Sequence, residues 1–274
     1  MSTSEEEIAL KYLDPNGYYE NFIKHDIRPN GREIHNIRTP IIKKSSFNNT
    51  NCCGSSYIEL GNTKVSCGVK LLIGTPSLNK PNCGDVEIDI SLWQICSPKY
   101  DQKSKSDIAL ILESQLYSLV MDTKMFDLEQ LCIQEGKAAF RLCISIVLLS
   151  DAGNLFDVMV LSLVSALNDI KLPNTIIDEN SGTISISEEF IIPLILSKNI
   201  ISITVGIFND IIITDLDEKE EQLMYGFITI VFDEYGNICY MNQNDQRQGL
   251  CMQTIQSAIS LCHQKSIELR KNLS

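Results

Sequence analysis

Half of the chain's arginines, Arg28, Arg32 and Arg38, fall in one short stretch, DIRPNGREIHNIRTP, around a Pro29-Asn30-Gly31 turn. On its residues this is a positively charged, solvated loop, suited either to meeting an anion or to pairing with neighbouring acids. A second basic loop, SPKYDQKSKSD (97–107), sets Lys99, Lys103 and Lys105 against two aspartates; it reads equally as a polyanion contact and as an ordinary lysine-rich surface. The run DLDEKEE (215–221) reads as the opposite, a solvated acidic turn. Asn154 begins a stretch that predicts a helix, and a helix N-terminus offers free N–H groups and a positive dipole end to an anion. Yet Asn154, Leu155, Phe156 and Asp157 include no cation. Three histidines (25, 35 and 263) and ten scattered cysteines without a C-x-x-C pair give no metal-ligand spacing, so neither a metal nor a cofactor is expected. The cysteines lie mostly in apolar runs and read as free thiols of a reducing compartment.

The element that must organise these groups is GNLFDVMVLSLVSALNDIKLP (153–173). Its apolar residues cover nearly every face, leaving only a narrow stripe of Ser162, Ser165 and Asn168, the mark of a buried helix. Asn154 is expected to cap it and Pro173 to stop it. Before it, GSSYIELGNTKVSCGVKLLIG alternates around Gly61-Asn62 as a hairpin, and DVEIDISL (85–92) alternates as a further strand. Residues 108–121 have helical spacing, and the continuous run FRLCISIVLL (140–149) suits a central strand buried on both faces. EEEIALKYL and the aromatics Tyr18, Tyr19 and Phe22 read as a helical arm that docks on something. After Pro173 come strand-like pieces at 183–187, 201–208, 210–214, 225–233 and 237–241. A last helix from Gly249 carries Cys251, Ile255, Ala258, Ile259 and Cys262 on one side. The order of elements predicts an α+β fold in two packed halves.

Composition narrows the function. At 274 residues and 44% hydrophobic content the chain has material for a real core. A formal net charge of −12 opposes attraction of the whole surface to nucleic acid, leaving only a local basic groove for that purpose. The acidic start MSTSEEEIALKYL has no charged-then-apolar leader pattern, and no apolar run reaches membrane-spanning length, so no membrane association is expected.

Four stretches together resemble the RNase PH family: IRPNGREIHNIRT (27–39), GSSYIELGNTKVSCGVK (54–70), AGNLFDVMVLSLVSAL (152–167) and IFNDIIITDLDEKEEQLMYGFITIVFDEYGNI (207–238). Within it the chain resembles the ring subunits of the eukaryotic RNA exosome. The arm and C-terminal half are nearest one paralogous type, while GTPSLNKPNCG (74–84) and the buried helix are as near another. The resemblance implies an RNase PH-like fold with a ribosomal protein S5 domain 2-like β-α-β core. It divides the chain into an arm (1–26), a first domain (27–175) and a second domain with the C-terminal helix (176–274). It implies a hetero-hexameric ring of paralogous RNase PH-type subunits, capped by RNA-binding subunits and threaded by RNA, in the nucleus, nucleolus and cytoplasm. Active members cleave RNA from the 3′ end with phosphate as nucleophile.

The same resemblance maps the chemistry. Asp215 matches the family's catalytic aspartate, and Glu221 falls where a second acid is expected. The phosphate of active relatives sits at the start of the buried helix in a Gly-Thr-Arg sequence; here Asn154, Leu155 and Phe156 replace it, with neither charge nor hydroxyl on the last two. Gln115 and Leu119 stand at positions where active members carry arginines for RNA phosphates, and 99–140 contains no arginine. Lys99, Lys103 and Lys105 fall in a loop near the channel of such rings, and Arg28, Arg32 and Arg38 in a family motif. The expectation is a non-catalytic ring subunit with a degenerate phosphate site. The alternative is an active phosphate-dependent exoribonuclease that uses Asp215.

Overall fold

The computed structural model describes residues 13–46, 52–97, 99–100, 107–177, 184–245 and 249–273. In chain order, α1 (Pro15–Ile23) is followed by β1 (Ile41–Lys44), β2 (Gly54–Leu60), β3 (Thr63–Gly74) and β4 (Asp85–Ser91). Helix α2 (Asp107–Thr123) leads to β5 (Cys132–Gln134), β6 (Ala138–Ser150) and α3 (Leu155–Asn168). The hairpin β7 (Lys171–Ile177) and β8 (Ile184–Pro193) comes next, then β9 (Ile201–Phe208), β10 (Ile211–Thr214) and α4 (Glu218–Glu221). Strands β11 (Gly226–Phe232) and β12 (Ile238–Asp245) and helix α5 (Met252–Leu273) complete the chain. Two compact units result. One comprises Thr39–Ser202 with Val231–Tyr240; the other comprises the stretch up to Arg38, Ile203–Ile230 and the stretch from Met241 onward.

The larger unit is built on a sheet of order β1-β2-β3-β6-β4, with β5 added on β6. Pairing is antiparallel except for β4, which runs parallel to β6. Gly61, at φ 59°, turns β2 into β3 so that Leu60 faces Thr63, the register the Gly-Asn pair implies. The even-numbered residues of β6 from Leu142 to Leu148 point inward and join Ile58, Val65, Cys67 and Val69 beneath α3. Within that apolar setting burial pushes the Cys67 thiol up to about 12. Helix α3 presents Val158, Met159, Leu163, Val164 and Leu167 to this core, and even its serines, Ser162 and Ser165, are buried. Ser162 and Ser56 complete the contact: the Ser56 hydroxyl donates to the Ser162 carbonyl oxygen at 2.7 Å.

Three expectations are corrected here. Strand β6 is central but buried on one face only, because Ser145 and Leu149 alternate outward and are exposed. Helix α3 ends at Asn168 with Asp169 as its C-cap, and Pro173 lies inside β7 instead of stopping the helix. Cys251 is exposed and precedes α5, whose inner side is Ala258, Cys262 and Ser266. Most of EEEIALKYL, together with Lys103 and Lys105, lies outside the described residues. None of the helices among the described residues is long and apolar enough to cross a membrane.

The smaller unit contains β10 and most of β9 and β11. Asn209 and Asp210, at φ 44° and 66°, form the two-residue turn that pairs Phe208 with Ile211. Tyr19 of α1 docks edge-on against Phe208, ring centroids 5.4 Å apart, beside Ile23, Ile34, Ile213, Leu216 and Met224. The aromatic arm therefore packs on the hairpin of its own chain.

Candidate functional site

The three N-terminal arginines converge on the acidic run. The turn at 29–31 is closed by Gly31 at φ 84°, whose N–H donates to the Arg28 carbonyl oxygen at 2.9 Å, and by Arg28 N–H to the Arg32 carbonyl oxygen at 2.8 Å. Arg28 is 0% exposed. Its guanidinium donates to Glu220 Oε2 at 3.2 Å, to the Asp215 carbonyl oxygen at 3.0 Å, and to the carbonyl oxygens of Ile34 and Thr214. Arg38 grips the Asp215 carboxylate side-on, Nε to Oδ2 at 2.8 Å and Nη2 to Oδ1 at 2.6 Å, and its backbone N–H adds a bond to Oδ2 at 2.8 Å. Arg32 bridges Asp215 Oδ2 at 3.0 Å and Asp217 Oδ1 at 2.7 Å.

Asp215 and Glu220 are 1% and 4% exposed, so the acidic run is not a solvated turn at these positions. The reason is charge compensation: a buried carboxylate is tolerated when cations and hydrogen bonds surround it. Burial pulls Arg28 below the ordinary arginine range, against the attraction of Glu220. For Arg38 burial acts the same way, but the bonds and charge of Asp215 outweigh it and hold the guanidinium above that range. Burial, then the Glu220 charge, pushes the Tyr19 hydroxyl far up. Of the two roles open to the three arginines, the geometry supplies pairing with acids.

The family resemblance points to Glu221, yet it is Glu220 that pairs with Arg28 inside the cluster. The signal was present: Asp217-x-x-Glu220 is a capping box, with Asp217 N–H donating to Glu220 Oε2 at 2.9 Å. Glu221 is half-buried at the end of α4.

The start of α3 lies in the other unit and is assembled from the loop 151–154. Gly153 and Asn154 take φ 95° and 56°, so the cap is a backbone conformation and not a side-chain bond from Asn154. Three of the loop's amides are already engaged. Asp151 N–H donates to the Cys96 carbonyl oxygen at 3.3 Å, Ala152 N–H to Thr63 Oγ1 at 3.1 Å, and Gly153 N–H to Asp151 Oδ1 at 3.0 Å. Asp151 Oδ2 accepts from Lys99 Nζ at 2.6 Å and Tyr100 Oη at 2.5 Å. Burial would raise this carboxyl, but the bonds from Lys99, Tyr100 and Gly153 together hold it below the usual carboxylate range. Leu155 and Phe156 are half-buried and pack against the core. Helix α3 thus begins among two carboxylates, Asp151 and Asp157, two apolar side chains and one cation, Lys99, which is already paired with Asp151. Leu119 is wholly buried in the core and Gln115 half-buried.

A family model described as "3' exoribonuclease family, domain 1" matches residues 31–173, and its domain 2 counterpart matches 198–265. The chain is 30% identical to exosome complex component rrp43 of Schizosaccharomyces pombe, over 84% of each chain. It is 28% identical to exosome complex component Rrp42 of Methanopyrus kandleri, over 90% of each. Among solved structures it is similar in fold to a chain of the Archaeoglobus fulgidus exosome with RNA bound to the active site. The TM-score is 0.83 at 22% identity, covering 97% of this chain and 100% of that one. An archaeal exosome core chain is similar at TM-score 0.79 and 21% identity, over 98% and 99%.

Proposed function

The chain belongs to the RNase PH family of 3′ exoribonucleases, and from that premise we propose that it is a non-catalytic subunit of an exosome core ring. It helps form the channel that threads RNA to a 3′–5′ exoribonuclease, in the company of paralogous RNase PH-type subunits in a hetero-hexamer and of cap subunits. The relative at 30% identity supports the rrp43 type among the paralogues. On this reading the chain works in the nucleus, including the nucleolus, and in the cytoplasm.

The start of α3 carries the proposal. Phosphorolysis needs a cationic, hydrogen-bonding cradle for phosphate, and where active relatives hold phosphate this chain sets Leu155 and Phe156 on its core and gives its loop amides to protein oxygens. Loss of a single preorganised donor of this kind costs about 10²–10³ in rate. The acid fares no better: Asp215 is buried and held through both carboxylate oxygens by arginine. A carboxylate so engaged is poorly placed to move a proton.

The test is phosphate-dependent degradation of 5′-labelled single-stranded RNA by the purified chain, alone and after mixing with paralogous ring subunits. The expected result is no nucleoside diphosphate release from the isolated chain and a defined heteromer on mixing. Release that disappears in Asp215→Asn would establish an enzyme and overturn the proposal.

A further inference from the structure

Among the described residues, the six-stranded sheet has a covered face and an open one. Helix α3 lies over the inner face of β2 and β3 and α2 packs beside β4, whereas the outward residues of β1, β2, β3 and β6 line a groove of about 810 Å³. Its plan follows from the register. Lys43, Tyr57, Ser66 and Val147 stand in one row across four strands, and Gly68 pairs with Ser145 in the next. The floor on β3 is therefore small, Ser66 and Gly68. The walls are Tyr57 on β2 and Val147 and Leu149 on β6. These walls stand two strand spacings apart, about 9.5 Å, which is close to the width of one helix with its side chains, about 10 Å.

Charge says what kind of helix fits. Among the described residues the groove lining contains two cations, Lys43 and Lys70, both exposed, and no carboxylate, in a chain of net charge −12. Lys43 stands 5.6 Å above the Tyr57 ring. Of the acids on this face, Glu59 is paired with Lys64 at 3.1 Å and accepts from Tyr57 Oη at 3.5 Å, and Glu87 and Asp89 lie beyond β6 on β4. The β1–β3 side thus carries lysines and one acid, Glu59, that is already paired, and the far edge carries acids. With largely apolar walls and only two cations among its described residues, the groove is poorly suited to a run of phosphates, each of which would need its own donor.

We infer that this open sheet face docks an amphipathic helix of a partner protein, apolar along its middle and acidic along the flank that meets Lys43 and Lys70. Such a helix would bury its apolar stripe on Tyr57, Val147 and Leu149, the small floor would let it approach closely, and its carboxylates would meet the two ammonium groups.

The full-length chain can be titrated against a fluorescein-labelled designed peptide with a leucine stripe flanked by glutamates, read by anisotropy. The same peptide with lysine for glutamate and a short oligouridylate serve as the other arms. The acidic peptide is expected to bind, the other two are not, and Lys43→Glu with Lys70→Glu should weaken it about tenfold and favour the basic peptide instead. Gly68→Leu should abolish binding by filling the floor. A Cβ there meets only the Cys52 sulfur, at 3.5 Å, and Gly68 has no positive φ, so the fold is retained. Equal binding of the two peptides, binding of neither, or preference for the oligonucleotide would overturn the inference. So would self-association of the chain that Gly68→Leu removes, which would assign the face to a second copy.

Discussion

Arg28 directs its guanidinium to Glu220 and to the carbonyl oxygens of Ile34, Thr214 and Asp215 while its side chain is wholly buried. A buried ion pair adds little over an apolar pair of equal size, but removing one partner strands the other charge and costs about 3–5 kcal/mol. Arg28→Met is therefore expected to lower the unfolding free energy by about that amount, measured as an earlier midpoint in urea at an unchanged slope. Adding Glu220→Leu should return part of the loss, because the stranded carboxylate goes with it. A single variant within about 0.5 kcal/mol of wild type would mean the cluster is not a stability element. The arginines stood out in the sequence by number and spacing. Their pairing with Asp215 and Glu220 did not, because those acids follow 177 to 192 residues later and pairing at that separation leaves no local pattern.

At the scale of elements, the loop before α3 is fastened by one carboxylate. Asp151 takes bonds from the ammonium of Lys99, the hydroxyl of Tyr100 and the amide of Gly153, and so ties the segment after β4 to the helix start. Its folded carboxyl is held below the usual range, so its contribution is present above the unfolded value, about pH 3.9, and is lost as pH falls through the folded value. Asp151→Asn should cost about 2 kcal/mol at pH 7, and the gap to wild type should close as pH falls below about 4. A gap that stays constant from pH 7 to pH 3, followed by thermal denaturation, would show that the carboxylate's charge contributes nothing. Helix α3 itself was readable because being apolar on every side admits one reading, burial. The reach of α3 and the open face of β6 were not. Pro173 is as acceptable in the short hairpin strand β7 as after a helix. The outward positions of β6 include Val147 and Leu149, which made a one-sided strand look buried on both.

The whole molecule carries a net charge of −12, so its long-range field repels a polyanion and any RNA contact must be local. Arg28, Arg32 and Arg38 are committed to Asp215, Asp217 and Glu220, and Lys99 to Asp151. The isolated chain should therefore bind single-stranded RNA no more tightly than about 10⁻⁴ M at physiological salt, the weak end of non-specific binding. In an assembled ring the situation differs, since neighbours confine the RNA to the channel and a few lysines suffice there. If the basic loop lines that channel, replacing Lys99, Lys103 and Lys105 together with alanine should leave the heteromer's mass unchanged. It should also lower RNA crosslinking to this subunit several-fold and flatten its salt dependence by up to two phosphate contacts, since Lys99 is paired with Asp151. Unchanged crosslinking in an intact ring would remove the loop from the RNA path. The subunit's role would then be confined to scaffolding, with the channel's positive charge supplied by its neighbours.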